Sequence, residues 1–168
     1  HLIEIPAHAM STRNSMELIL VNCISTPRIC IHSEILLEFQ FNKEYTIGED
    51  LDLLTRIVQK YRLIGTGMYT IVYVNHSERS VHINNLNCFT EHIDRIREII
   101  HRDNNSMISK KIQKTALSNA YFNLGGHYAH MHQNLKASSA ILRSLLIFPT
   151  YRWKEKLYII LSTSLLTK

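Results

Sequence analysis

The chain is short of cysteine, proline and glycine, and each shortage removes a class of protein. Its three cysteines, Cys23, Cys30 and Cys88, form an odd set with no C-x-x-C spacing. That pattern excludes a disulfide framework and a cysteine-built zinc site, and it suits a reducing, cytoplasmic compartment. Five glycines scattered over 168 residues make no phosphate-cradling loop. No Ser-His-Asp elbow or nucleic-acid recognition motif is present, so nucleic acid is not an expected partner. The chain also lacks an apolar run long enough to span a bilayer. It opens on His1, and Leu2-Ile3-Glu4-Ile5-Pro6 is already apolar and extended in character, so the chain is expected to be a fragment that begins inside a structure.

What is present is an ordinary globular composition, 45% hydrophobic and 20% charged, with a formal charge of +5. These values exclude a disordered chain. The charge would favour phosphate groups or anionic surfaces without naming a chemistry.

Periodicity organises the chain into two regions, residues 1–84 and 85–168. In the first, residues 16–24 are expected as a short helix and Arg28 to His32 as a brief strand after Pro27. From Glu49 to Tyr61, Leu54, Ile57, Val58 and Tyr61 recur at helical spacing, behind a first turn that carries Glu49, Asp50 and Asp52. The β-branched and aromatic run Tyr69 to Val74 is the clearest expected strand. In the second region, residues 86–102 predict a helix with Phe89, Ile93, Ile96 and Ile100 on one face, and Asp103 to Ser109 form a polar linker.

The remainder is expected to be all helical. Tyr121-x-x-Leu124-Gly125-x-x-Tyr128, Ala137-x-x-x-Ile141 and Pro149 resemble one tetratricopeptide repeat, a helix hairpin over about 116–149. Pro149 stops its second helix. A last helix over 153–166 places Trp153, Leu157, Ile160, Leu161 and Leu165 along one side. That side is expected to pack on the hairpin, and peripheral attachment to a membrane surface is the other use it allows.

The stretch Phe41 to Arg56 carries the chemistry. Phe41-Asn42-Lys43-Glu44-Tyr45-Thr46-Ile47-Gly48-Glu49-Asp50-Leu51-Asp52-Leu53-Leu54-Thr55-Arg56 resembles the segment of family 2 glycosyltransferases in which an aromatic and a polar loop lead to Glu-Asp, x-Asp-Leu and an Arg on one helix. Spacing alone would make Glu49 and Asp50 helix-capping residues. The resemblance implies instead that Asp50, beside Glu49, is the general base that deprotonates an acceptor hydroxyl. It further implies substrate contacts from Arg56 and Arg79. His76, at the end of the strand Tyr73-Val74-Asn75-His76, becomes a candidate ligand for a divalent manganese or magnesium ion; a solvated loop histidine is the plain alternative.

The implied fold is an α/β remnant of a GT-A domain over residues 1–84, followed by the helical tail. The implied activity is inverting transfer of a sugar from a nucleotide-diphosphate donor to a glycan or lipid-linked acceptor, in the cytoplasm or at the inner face of a membrane. The nucleotide-binding strands and Asp-x-Asp motif of such enzymes are not in these residues, so the chain is expected to be the acceptor-side half and inactive alone. The contrasting expectation is a non-catalytic helical interaction module. His127, His130 and His132 cluster without a completing carboxylate and are expected to be core-edge or solvated.

Overall fold

The computed structural model describes residues 15–22, 29–63 and 86–165, and these residues are helix-dominated, with no strand among them. The expected strand over Tyr69 to Val74 lies outside the described residues, as do His76 and Arg79. The chain divides into two compact units, His1–Ser80 with Asp103–Ile108, and Val81–Arg102 with Ser109–Lys168.

In the first unit three helices are described: α1 (Ser15–Asn22), α2 (Ser33–Glu38) and α3 (Glu49–Ile57). Met16, Leu18, Ile19 and Leu20 of α1 are all buried, as befits a helix apolar around most of its circumference, and α1 packs on α3. Residues 29–32, expected as strand, show no strand pairing. They run instead into α2, whose first turn is capped by His32 Nδ1 accepting from the Glu34 amide at 3.4 Å.

Helix α3 ends at Ile57 rather than continuing to Tyr61. Beyond it the chain turns, with the Lys60 and Tyr61 amides both donating to the Ile57 carbonyl. The turn brings Lys60 Nζ to 2.6 Å and the Tyr61 hydroxyl to 2.9 Å from the Glu38 carboxylate. Hydrogen bonds from Lys60 and Tyr61 hold the Glu38 carboxyl below its ordinary pKa. In Asp103–Ile108 the two Asp103 carboxylate oxygens accept the Met107 and Ile108 amides at 3.0 and 2.8 Å, closing a turn without a helix.

In the second unit four helices are described, α4 (Leu86–Arg102), α5 (Lys110–His130), α6 (Asn134–Ile147) and α7 (Trp153–Leu165). Neighbours run antiparallel. Phe89 near the start of α4 stacks on His127 near the end of α5, with ring centroids 4.6 Å apart, while Arg97 further along α4 meets the Tyr121 hydroxyl. Helix α4 buries Ile93, Ile96 and Ile99, so its core-facing row takes Ile99 where the periodicity favoured Ile100.

Helix α5 stops in a Schellman turn: the His132 amide donates to the Ala129 carbonyl and the Gln133 amide to the Tyr128 carbonyl. His132 takes the left-handed conformation there, φ 56°. The α5–α6 seam runs through the repeat-like positions, with Ala137 and Ile141 fully buried. A Cβ on Gly125 would lie 2.6 Å from Ile141 Cδ1 and 3.3 Å from the Ala137 carbonyl oxygen, whereas one on Gly126 would meet nothing. Gly125→Ala is therefore expected to lose about 1–2 kcal/mol of stability despite its gain in helix propensity, because a buried Ile141 must shift. Gly126→Ala should instead gain about 0.5–1 kcal/mol. Urea melts of the two variants check the pair, and equal effects would contradict this seam.

Helix α7 packs on the hairpin, but three residues of the expected row do not turn inward. Trp153, Leu157 and Leu161 are exposed, and the positions turned inward are Lys156 and Thr163. The cause is polar. Ser118 and Ser144 leave a slot in the α5–α6 seam, and Lys156 Nζ enters it to donate to Ser118 Oγ at 2.8 Å, the Phe148 carbonyl at 2.9 Å and the Ser144 carbonyl at 3.2 Å. Arg152 fixes the approach, its guanidinium 4.0 Å from the centroid of the Phe122 ring.

Candidate active site

Of the described candidate residues, Glu49 and Asp50 lie in the first turn of α3 and Arg56 in its last. Gly48 occupies the N-cap position in the left-handed conformation, φ 75°, and has no side chain with which to cap. A residue with a Cβ would be strained at that angle. Glu49 and Asp50 therefore enter the first turn, where the helix dipole and amide donors favour negative charge. Asp50 is half-buried, and its Oδ1 accepts from the Leu51 amide at 2.7 Å.

Asp50 borders a small crevice of about 30 Å³, lined otherwise by Ile29, Ile31, Phe41, Leu53 and Leu54. A space of that size exceeds the roughly 10–15 Å³ that one water needs. It can take a hydroxyl group, not a sugar ring. Its apolar walls leave the carboxylate as the acidic group at that opening.

Two residues further on, Asp52 has a different fate. It is 1% exposed, and Arg56 one turn later donates to its Oδ2 through Nε at 3.0 Å, with Nη2 forming an ion pair to the same oxygen at 3.0 Å. The same guanidinium reaches the Gln40 carbonyl at 2.7 Å. Arg56 thus neutralises a buried carboxylate and ties α3 to the loop before it, which is the structural use of a rigid donor fork. Substrate contact, expected of Arg56, would have to compete with two existing hydrogen bonds and an ion pair.

Of the expected site residues, the structure brings Glu49 and Asp50 to one helix end and sets Arg56 on the same helix, tied to Asp52; His76 and Arg79 lie outside the described residues. Among the described residues no three His, Cys, Asp or Glu side chains come together as a metal set. His76, the expected ligand, lies outside the described residues. In the second unit His127 is buried against Phe89, while His130 and His132 are exposed. Ile29 and Ile31 were not apparent as site residues, because alternation in a short apolar run signals a strand before it signals a crevice wall.

No protein-family model, curated protein or solved structure matches the chain.

Proposed function

We propose that the chain is the acceptor-side part of a sugar-transferring enzyme with the character of family 2 glycosyltransferases, and that Asp50 is its general base. One observation carries this reading. The Glu-Asp-x-Asp segment separates its two aspartates, placing Asp50 at an opening beside the aromatic Phe41 while Asp52 is buried and neutralised by Arg56.

In the proposed reaction the acceptor hydroxyl gives its proton to the Asp50 carboxylate as its oxygen attacks the anomeric carbon of the donor. The bond from that carbon to the nucleoside diphosphate breaks, and the leaving group departs with the electron pair. Attack opposite the leaving group inverts the anomeric centre. A carboxylate within hydrogen-bond reach of the attacking hydroxyl is the group that such a step needs. A divalent manganese or magnesium ion, held with His76 and upstream residues, would neutralise the leaving diphosphate. The test is Asp50→Asn in the full-length protein. Transfer at the wild-type rate from a folded variant would overturn the assignment.

A further inference from the structure

Helices α6 and α7 together expose a broad apolar surface. Leu135 and Leu146 of α6 are 84% and 83% exposed, Leu142 is 52% exposed, and Trp153, Leu157 and Leu161 of α7 are also exposed. The two helices are antiparallel: Ser138 near the start of α6 meets Thr163 near the end of α7, and Lys156 near the start of α7 reaches the carbonyls at the end of α6. At about 100° per residue, Leu142, Leu135 and Leu146 follow Ser138 around α6 in the sense of its coil. Trp153, Leu157 and Leu161 follow Lys156 and Thr163 around α7 in the same sense. Seen from one end, that sense is clockwise on one antiparallel helix and anticlockwise on the other. Both rows therefore open on the same side, opposite the residues of α6 that meet α5. A continuous apolar face of this kind on a water-soluble surface marks an interaction site.

Charge says what covers it. Over residues 110–165 Glu155 is the only acidic residue, against eight lysines and arginines. Exposed Lys154 sits about 20° around α7 from Leu161, and exposed Lys136 and Arg143 border the α6 row. Glu155 lies on the other side of α7, 3.6 Å from Arg152. Apolar residues including a tryptophan, rimmed by cations and free of carboxylates, have the composition of a surface that lies in a bilayer interface rich in anionic lipid. No described helix is long and apolar enough to cross a membrane, so contact is from one side. We infer that the α6–α7 face docks the protein on an anionic membrane surface, with Trp153, Leu157, Leu146 and Leu142 entering the interface and Lys136, Arg143 and Lys154 meeting lipid phosphates. This inference stands apart from the sugar-transfer reading, since it uses only the second unit.

Trp153 is the only tryptophan, so its fluorescence reports on this face alone. The experiment mixes the whole chain with vesicles of phosphatidylcholine, with and without phosphatidylglycerol, and follows tryptophan emission and co-sedimentation. The expected result is a blue shift and sedimentation with the anionic vesicles only, weakened by salt. Leu157→Glu and Leu146→Glu, both at exposed positions, should reduce partitioning by about tenfold or more. Lys154→Gln should reduce it by about fivefold. Three outcomes would each overturn the inference: no sedimentation, equal sedimentation with neutral vesicles, or unchanged binding by both Leu→Glu variants. So would a concentration-dependent blue shift without lipid, accompanied by a dimer in sedimentation velocity, which would assign the face to a second copy.

Discussion

Lys156→Ala is expected to destabilise the second unit by about 2–4 kcal/mol, the range for removing a long buried side chain that the surroundings cannot replace. Lys156 is fully buried and has no carboxylate in its slot; its ammonium is held by one hydroxyl and two carbonyls. Truncation would empty the aliphatic part of the slot and leave Ser118 Oγ and the Phe148 carbonyl without this donor. Lys156→Met keeps most of the volume and removes the cost of burying charge, so it should fall between wild type and Ala. If Met were as damaging as Ala, hydrogen bonding rather than packing would dominate.

The same residue gives a pH signature. Burial, and then the Arg152 charge, lower the Lys156 pKa, with Glu155 opposing weakly. The unfolded chain restores a lysine of about 10.4. Between the lowered folded value and that unfolded value the unfolded state binds more protons, so stability contributed at this site rises with pH. The wild type should gain on Lys156→Ala as pH is raised from neutral to about 10. Denaturant melts of both proteins at several pH values measure the difference, and a constant difference would mean that Lys156 is not desolvated in solution.

Asp50→Asn in the full-length protein is expected to lower sugar transfer by about a hundred- to ten-thousand-fold, the usual contribution of a positioned base. Asn keeps the shape and can still accept the Leu51 amide through its carbonyl oxygen, so the fold should be unchanged. Asp52→Asn is the informative contrast. It would leave the Arg56 fork facing a neutral partner in a buried place, and should therefore reduce stability by about 1–3 kcal/mol. A variant that loses transfer with an unchanged melting profile separates the base at Asp50 from the structural carboxylate at Asp52. Loss of donor affinity in place of turnover would instead make Asp50 a binding group.

Much of the helical part was legible because apolar spacing and chain-breaking residues mark it. The limits of α4 follow directly from apolar spacing and the polar residues after Arg102, and the α5–α6 hairpin follows from Leu124-Gly125, Ala137, Ile141 and Pro149. The face of α7 was not legible. Its apolar row would pack inward in an isolated amphipathic helix, but Ser118 and Ser144, which lie 26 residues apart, close a polar slot that only a long donor can fill. No local pattern announces such a slot. Likewise Ile29 and Ile31 have the composition of a strand, yet strand formation needs a partner, and the crevice beside Asp50 accepts them without one.

At the candidate site the sequence separated a chemically useful helix end from the rest of the chain, but it did not tell Asp50 from Asp52. Both lie in the first turn, about 200° apart around the helix, and spacing alone does not say which borders a crevice and which is paired. Their difference comes from Arg56, whose reach to Gln40 anchors it on the Asp52 side and leaves Asp50 at the crevice. The loop that precedes α3 therefore contributes to the chemistry proposed for the helix.

The central claim is sugar transfer, and release of nucleoside diphosphate is its most direct readout. The full-length protein would be incubated with a panel of nucleotide-diphosphate sugars, manganese or magnesium, and glycan or lipid-linked acceptors, with the released diphosphate measured. The account predicts acceptor-stimulated release from at least one donor, abolished by Asp50→Asn. A folded full-length protein that binds none of the donors and releases no diphosphate would contradict it.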